Sequence, residues 1–123
     1  MAVCIPFLGV PDMARTVAWY MSIGFTCSGT NKNWEPEAEL TWAQLEWEGA
    51  AFMLFPSYKQ QESDAVKDAG LYFKVSSIAG LVEQLKQRAR IIELTEQTFY
   101  GKQEVVFEDL NGFRITMAAE GHI

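Results

Sequence analysis

The sequence predicts an α+β fold in which a strand–helix–three-strand unit, βαβββ, occurs twice. Three observations lead to this prediction. Short segments with the two-residue alternation of strands surround two segments with helical periodicity. A polar stretch then interrupts the pattern, and the same order of elements restarts after it. We therefore expect one domain made of module one (residues 1–57), a connector (58–69) and module two (70–123), with curved mixed sheets around a cleft.

Module one begins with a strand predicted over residues 2–10, AVCIPFLGV. Asp12 is placed to cap a helix that ends at Gly24. The inward positions of this helix follow the helical spacing and are Met13, Val17, Tyr20 and Met21. The segment FTCSGT predicts the next strand. The segments ELTWAQLEWE and AAFMLFP predict two more strands, joined as a hairpin at Glu48 and Gly49.

Module two begins with the strand GLYFKVS. A helix starting at Ser76 or Ser77 is expected next, with cations in its last turn, where they suit the helix dipole. Its inward residues are Ile78, Leu81, Val82 and Leu85, and its cations are Lys86, Arg88 and Arg90. Strands near residues 91–94 and over KQEVVFE follow. The turn Asp-Leu-Asn-Gly leads into the last strand, because Asn111 and Gly112 are able to take positive φ.

Strand alternation assigns each side chain to one of two sheet faces. The faces expected to pack on the helices carry Leu71, Phe73 and Val75, and Ala43, Leu45 and Trp47. The opposite faces carry Gly70, Tyr72 and Lys74, then Trp42, Gln44 and Glu46, and finally Arg114, Thr116 and Ala118. Two curved sheets that turned these mixed aromatic and polar faces toward each other would form an aromatic-lined cleft. That composition is typical of a small-molecule site.

Composition and charge exclude several classes of protein. With 123 residues, 49% of them hydrophobic, the chain can bury a core without disulfides or metals. Cys4 and Cys27 are too few for a disulfide framework, and we expect both to be reduced core thiols. The net charge is −6, and five glutamates fall within residues 35–48. This acidity argues against a nucleic-acid partner and suits either a cationic ligand or a solvated acidic surface.

The ends of the chain and its apolar runs bear on localisation. Nothing at the N-terminus resembles a signal peptide. No apolar run approaches the roughly 18 residues that a membrane span requires. We expect a cytoplasmic protein with no membrane partner.

Two segments carry a family resemblance. The run GVPDMARTVAWYMSIGF resembles the first strand-to-helix segment of the vicinal oxygen chelate superfamily, which includes glyoxalase I, extradiol dioxygenases and the bleomycin resistance proteins. The run FEDLNGFRITM resembles that superfamily's closing Asp-Pro-Asp-Gly hairpin, with Leu110 and Asn111 in place of Pro and Asp. The order of elements matches over essentially the whole chain, so the resemblance implies the glyoxalase/bleomycin resistance fold.

The resemblance also marks four positions on the first and last strands of the modules, where metal-using members place His, Glu or Gln ligands. Here these positions hold Ile5, Met53 (or Leu54, if the register differs by one), Gly70 and Thr116. None of these side chains binds a divalent metal well. The one histidine, His122, is next to the last residue. We therefore expect neither a metal nor a cofactor.

Catalytic groups are harder to find than ligand-contacting groups. Acids and bases on the expected cleft faces include Glu46, Lys74 and Arg114, but no pair has the spacing of a nucleophile held by a base. Trp42 and Tyr72 suit stacking and cation–π contacts. The residues expected to contact a ligand are Ile5, Phe7, Trp42, Gln44, Glu46, Met53, Tyr72, Lys74, Arg114 and Thr116.

Two functions remain open at this point. The first is a metal-independent binding protein that sequesters an aromatic or cationic small molecule, in the manner of the bleomycin resistance proteins that confer antibiotic resistance. The second is an enzyme of the superfamily, a lyase, isomerase or oxidoreductase, with a non-standard site. The acidity, the four tryptophans and the missing ligands favour binding. The resemblance further implies a homodimer with ligand clefts between subunits, with or without an exchanged N-terminal strand.

Overall fold

A computed structural model describes residues 2–57, 70–95 and 101–120 and confirms the α+β fold with two βαβββ modules. The chain divides into two compact units, Met1–Glu62 and Ser63–Ile123. The predicted modules 1–57 and 70–123 each fall within one unit, while the predicted connector, residues 58–69, lies outside the described residues. The single domain that we expect the modules to form stays a prediction.

Unit one holds four strands and one α-helix. In chain order the elements are β1 (Phe7–Val10), α1 (Met13–Ser22), β2 (Thr26–Thr30), a 3-10 turn (Asn31–Asn33), β3 (Ala43–Trp47) and β4 (Ala50–Pro56). The sheet order is β1-β4-β3-β2, with β1 parallel to β4 and the other pairs antiparallel. Helix α1 contacts β2, β3 and β4. Tyr20, Phe25 and Phe52 form an aromatic cluster beneath it, with ring centroids 5.1 to 5.8 Å apart.

Unit two repeats this topology. Its elements are β5 (Gly70–Val75), α2 (Leu81–Arg88), β6 (Arg90–Thr95), β7 (Lys102–Glu108) and β8 (Arg114–Glu120). The sheet order is β5-β8-β7-β6, with β5 parallel to β8. On the side of α2, the side chains of Leu85, Phe107, Ile115 and Met117 are fully buried. The two units therefore have the same strand order, as the repeat in the sequence predicts.

Local hydrogen bonds and backbone angles explain why the predicted start of the first helix and the predicted turns are correct. The Asp12 carboxylate accepts a hydrogen bond from the Arg15 amide, so Asp12 caps α1. Glu48 and Gly49 have φ of 49° and 86°, and two central residues of positive φ define the tightest hairpin turn. In the turn before β8, Gly112 has φ of 86°, while the buried Asp109 carboxylate accepts the amides of Asn111 and Phe113.

Two strands are shorter than the sequence predicts. The strand expected over residues 2–10 covers Phe7–Val10, because Pro6 has no N–H to donate to a ladder. The strand expected over residues 39–48 covers Ala43–Trp47. Its first residues are diverted because the Asn31 side chain accepts the amide hydrogens of Thr41 and Trp42.

The predicted start of the second helix is wrong. Helix α2 begins at Leu81, not at Ser76 or Ser77, because Gly80 has φ of 82° and a helix cannot extend back through that conformation. Arg90 is likewise not in the last turn, since Ala89 is extended and Arg90 begins β6. The predicted inward residues Leu81 and Leu85 of the helix are nevertheless buried and Val82 is half-buried, while Ile78 is buried in the segment that precedes the helix.

Three predicted core positions also need correction. Met21 is 51% exposed, and Thr16 takes its place in the core, where its hydroxyl donates to the Asp12 carbonyl at 2.7 Å. Cys4 is exposed and Cys27 is half-buried, so neither is a core thiol, although both are free. Cys4 is exposed because the segment that holds it precedes the first strand. Within the described residues, no helix is both long and apolar enough to cross a membrane.

Candidate functional site

Each sheet has one face on its helix and one face turned away from it, which we call the open face. In β3 and β4 the helix side carries Ala43, Leu45, Phe52 and Leu54, all of them fully buried. The alternate residues form the open face of sheet one. The same alternation in β5 places Phe73 and Val75 on the helix side and leaves Tyr72, 53% exposed, on the open face of sheet two.

On sheet one, three predicted ligand-contacting residues lie side by side. Met53 of β4 pairs with Phe7 of β1 on one side and with Gln44 of β3 on the other. Leu54 pairs with Ala43 and is fully buried, so the open face carries Met53 and not Leu54. Phe7 is 57% exposed. Ile5 lies in the segment before β1 and is half-buried, so it is not a strand residue as the sequence predicts.

Aromatic rings are concentrated on this face and at its end. Phe7 contacts Phe55, which is also exposed, with ring centroids 5.8 Å apart. Trp42 directly precedes β3 and contacts Trp34, with centroids 5.7 Å apart and ring planes at 34°. Phe55 and Trp34 are absent from the predicted set. Both contacts arise from pairings between distant segments, which the periodicity of a single segment does not show.

In the described part of the chain, the strands of sheet one carry one charged side chain on the open face, and it is Glu46. It accepts a hydrogen bond from the Gln44 amide at 3.3 Å, and both side chains are half-buried. Trp42 lies four positions earlier in the chain. At the rise of an extended strand, that separation is about 13 Å. The open face of sheet one therefore offers an indole at one end and a carboxylate at the other.

On sheet two, the remaining predicted residues lie in adjacent rows. Tyr72 pairs with Thr116 across β5 and β8, Lys74 pairs with Ala118, and Arg114 pairs with Gly70. Tyr72, Lys74 and Arg114 are exposed, whereas Thr116 is half-buried.

The open face of sheet two also carries carboxylates that alternate with these cations. The Tyr72 hydroxyl donates to Oε2 of Glu104 at 2.8 Å. Arg114 faces Glu108, which in turn pairs with Arg90 at 3.4 Å. Glu104 is missing from the predicted set, although alternation in β7 would have placed it there, since Val105 and Phe107 are the buried residues of that strand. Because both signs of charge are interleaved, this face has no strong preference for an anion or a cation.

The four positions that hold metal ligands in metal-using relatives do not fit a metal in this chain. Ile5 and Gly70 offer no side-chain donor, Met53 offers a thioether, and Thr116 offers a neutral hydroxyl, none of which suits a hard divalent cation. At Gly70 any side chain would also force a strand to shift, since a Cβ there would lie 2.6 Å from the Arg114 carbonyl oxygen. Among the described residues, no three His, Cys, Asp or Glu side chains are grouped to hold a metal ion.

A separate groove of about 360 Å³ lies on the helix side of unit two. Its two charged side chains, Glu83 and Lys86, form an ion pair with each other at 3.3 Å. None of the predicted ligand-contacting residues lines it. The residues that do are Ile78, Ala79, Gly80, Val82, Glu83, Lys86, Leu94 and Gln103.

Comparison with known proteins agrees with this architecture. Residues 3–117 match the family model of the Glyoxalase/Bleomycin resistance protein/Dioxygenase superfamily. The chain belongs to this superfamily. No curated protein sequence matches the chain.

Several solved structures share the fold of the chain. A bleomycin-binding protein complexed with bleomycin is 16% identical, with a TM-score of 0.70, over 98% of this chain and 99% of that one. A bleomycin resistance determinant encoded on the transposon Tn5 is 16% identical, with a TM-score of 0.71, over 98% of each chain. The fosfomycin resistance protein FosX from Listeria monocytogenes is 13% identical, with a TM-score of 0.70, over 97% of this chain and 93% of that one. At these identities the likeness shows the fold.

Proposed function

We propose that this superfamily member is a metal-independent small-molecule binding protein that sequesters a compound with an aromatic part and a cationic part. The observation that carries the proposal is the open face of sheet one. Phe7 is 57% exposed and Phe55 is 41% exposed on this face, and Trp42 lies with them. The charged side chain that the strands contribute to the same face is the carboxylate of Glu46. Exposed aromatic groups that share a face with a carboxylate favour stacking, cation–π contacts and ion pairing with different parts of one ligand.

The spacing on this face indicates the shape of the ligand. The backbone positions of Trp42 and Glu46 are about 13 Å apart at the rise of an extended strand, which is too far for one compact ring to bridge. A planar ring joined to an aliphatic ammonium tail can bridge this distance. The acidic net charge of −6 also raises the local concentration of cations.

The solved relatives support the same class of function. One of them is described as binding bleomycin, and two others as bleomycin and fosfomycin resistance proteins. We accordingly extend the proposal to antibiotic resistance by sequestration, carried out in the cytoplasm by a homodimer. Light scattering should then give a mass near twice the 13.9 kDa of one chain. A mass of one chain at micromolar concentration would contradict the dimer.

A panel of compounds tests the binding function without knowledge of the natural ligand. A ligand that binds only the folded state raises the melting temperature. We expect quinacrine, a planar ring with an ammonium tail, to raise it in a concentration-dependent way, and bleomycin to do so as well. Spermidine, which has no ring, and naphthalene sulfonate, a planar anion, should have little effect. No stabilisation by any ring-containing cation, or equal stabilisation by the anion, would contradict the proposal.

Variants identify the face that binds. Trp42→Ala should weaken quinacrine binding by about 1 to 3 kcal/mol, the cost of losing one aromatic stacking surface. Trp19→Phe is the matched control, since Trp19 lies on α1 and packs on Tyr20 at 4.9 Å. Trp34 does not serve as a control because it contacts Trp42. Equal losses for the Trp42 and Trp19 variants would mean that the ligand does not bind the open face.

One observation favours a second function, an enzyme with a non-standard site. The Tyr72 hydroxyl and the Glu104 carboxylate form a hydrogen-bonded acid–base pair on the open face of sheet two. Such a pair can move a proton without a metal. Conversion of a bound compound that stops in Glu104→Gln, while binding persists, would establish this function in place of sequestration.

A further inference from the structure

Asn31 is a buried side chain with both ends of its amide in use. It is 4% exposed. Its Nδ2 donates to the Glu39 carbonyl at 2.8 Å, and its Oδ1 accepts the amides of Thr41 and Trp42 at 2.8 and 3.2 Å. These bonds join the end of β2 to a segment eight to eleven residues further along the chain.

The backbone amide and carbonyl of Asn31 are hydrogen-bonded as well. Its amide donates to the Trp42 carbonyl at 3.2 Å, and its carbonyl accepts the amides of Trp34 and Glu35 at 3.2 and 3.0 Å. One residue thus fixes the backbone on which both Trp34 and Trp42 are carried. A polar group buried without partners is costly, so an amide that is hydrogen-bonded at both its nitrogen and its oxygen holds one arrangement of the segment.

The two indoles that Asn31 holds lie against each other, with their ring planes tilted by 34°. Their centroids are 5.7 Å apart, and Trp34 is 66% exposed. The Trp42 ring also packs over Gly29, where an added Cβ would lie at an ordinary contact distance of 3.5 Å. A ring inserted between the two indoles would need a separation of about 7 Å, twice the contact distance of carbon atoms. A ligand therefore has to stack on the outer surface of the pair.

We propose that Trp34 and Trp42 form a two-ring platform for a planar aromatic cation, and that Asn31 is the positioning residue that holds the platform together. The inference rests on the proposed function and adds Trp34 and Asn31 to its site. The segment between the two indoles supplies Glu35, Glu37 and Glu39, all exposed, so the platform lies next to negative charge. Indole faces and nearby carboxylates together favour a cationic ring over a neutral or anionic one.

N-methylquinolinium, a planar cation without a tail, is the probe for the platform. We expect it to quench tryptophan fluorescence saturably, and tetramethylammonium, a cation without a ring, to bind at least tenfold more weakly. Trp34→Ala should weaken N-methylquinolinium binding about tenfold and leave the melting temperature nearly unchanged, because the Trp34 side chain is mostly exposed. Trp19→Phe should bind like the unmodified protein.

Asn31→Asp tests the positioning role, since a carboxylate keeps an acceptor but cannot donate to the Glu39 carbonyl. We expect weaker N-methylquinolinium binding and loss of the far-ultraviolet exciton couplet of the two indoles, with cooperative unfolding retained. Trp34→Phe should also lose the couplet, which assigns it to this pair. If Asn31→Asp does not fold, the Trp34 variants decide whether the two indoles bind the probe.

The outcomes separate this inference from the proposed function. Unchanged N-methylquinolinium affinity in Trp34→Ala, or no binding of this probe to the unmodified protein, would overturn the platform. Quinacrine binding that survives in Trp34→Ala and fails in Trp42→Ala would overturn the platform alone and leave the proposed function standing. If no ring-containing cation binds the unmodified protein, both the platform and the proposed function are overturned.

Discussion

Tyr72 and Glu104, thirty-two residues apart in the sequence, are joined by a hydrogen bond of 2.8 Å across the open face of sheet two. The hydroxyl of Tyr72 donates, and Oε2 of Glu104 accepts. Strand β8 lies between them, and its Thr116 and Ala118 are the register partners of Tyr72 and Glu104. The tyrosine side chain therefore reaches across β8 beside the small side chains of Thr116 and Ala118.

This relationship predicts that the ring and the hydroxyl of Tyr72 have separable roles. Tyr72→Phe should lower the free energy of unfolding by about 0.5 to 1.5 kcal/mol, the net worth of one hydrogen bond, and should change quinacrine affinity little. Tyr72→Ala should lower the free energy of unfolding further, because it also removes the packing of the ring over β8, and should change quinacrine affinity little, since the proposed site is the open face of sheet one. Urea unfolding and calorimetric titration of both variants check the two parts. Equal loss of affinity in both variants would show that the hydroxyl contacts the ligand.

The close approach of β5 and β8 predicts a large cost for a side chain at position 70. In Gly70→Ala the new Cβ would lie 2.6 Å from the Arg114 carbonyl oxygen, so a strand has to shift. We expect a loss of about 1 to 3 kcal/mol in the free energy of unfolding, measured in urea. Gly29→Ala is the matched strand control, since its Cβ meets the Trp42 ring at 3.5 Å, and it should cost less than about 1 kcal/mol. Similar stabilities for the two variants would mean that the strands adjust freely at Gly70.

The Thr116 hydroxyl should contribute modestly to binding and little to folding. Thr116 is half-buried between Tyr72 and Val106 on the open face of sheet two. Thr116→Val should keep the fold and weaken the binding of a ligand to this face by no more than about 0.5 to 1.5 kcal/mol, the worth of one neutral hydrogen bond. A loss of more than tenfold in affinity would show that Thr116 has a larger role than a neutral contact.

Alternation and local turn chemistry were enough to predict most of the fold. Leu71, Phe73 and Val75 can be assigned to one face of β5 from spacing alone, and Asp12 can be identified as a helix cap from its position before an apolar periodic run. The start of α2 could not be predicted in this way. Ser76 and Ser77 are typical cap residues, but the positive φ of Gly80 moves the helix to Leu81. The backbone conformation of this one glycine prevents the earlier helix start that the two serines favour.

The candidate site was less predictable because its contacts join distant residues. The bond between Asn31 and Trp42, the contact of Trp34 with Trp42, and the pairing of Tyr72 with Glu104 all depend on which segments the fold brings together. Asn31 in particular resembles an ordinary turn residue in the sequence, and only its burial in the fold shows that its amide holds a segment in place. Strand faces can be inferred from a single segment, but partners across the sheet cannot.

The central claim, that this protein binds a small molecule without a metal, is tested most directly by calorimetric titration of EDTA-treated protein with quinacrine. The titration is repeated after Zn²⁺, Mn²⁺, Fe²⁺, Ni²⁺ or Mg²⁺ is added back. The account predicts the same saturable isotherm in every case, because Ile5, Met53, Gly70 and Thr116 supply no set of donors for a divalent cation. Binding that disappears with EDTA and returns with one particular cation would contradict it.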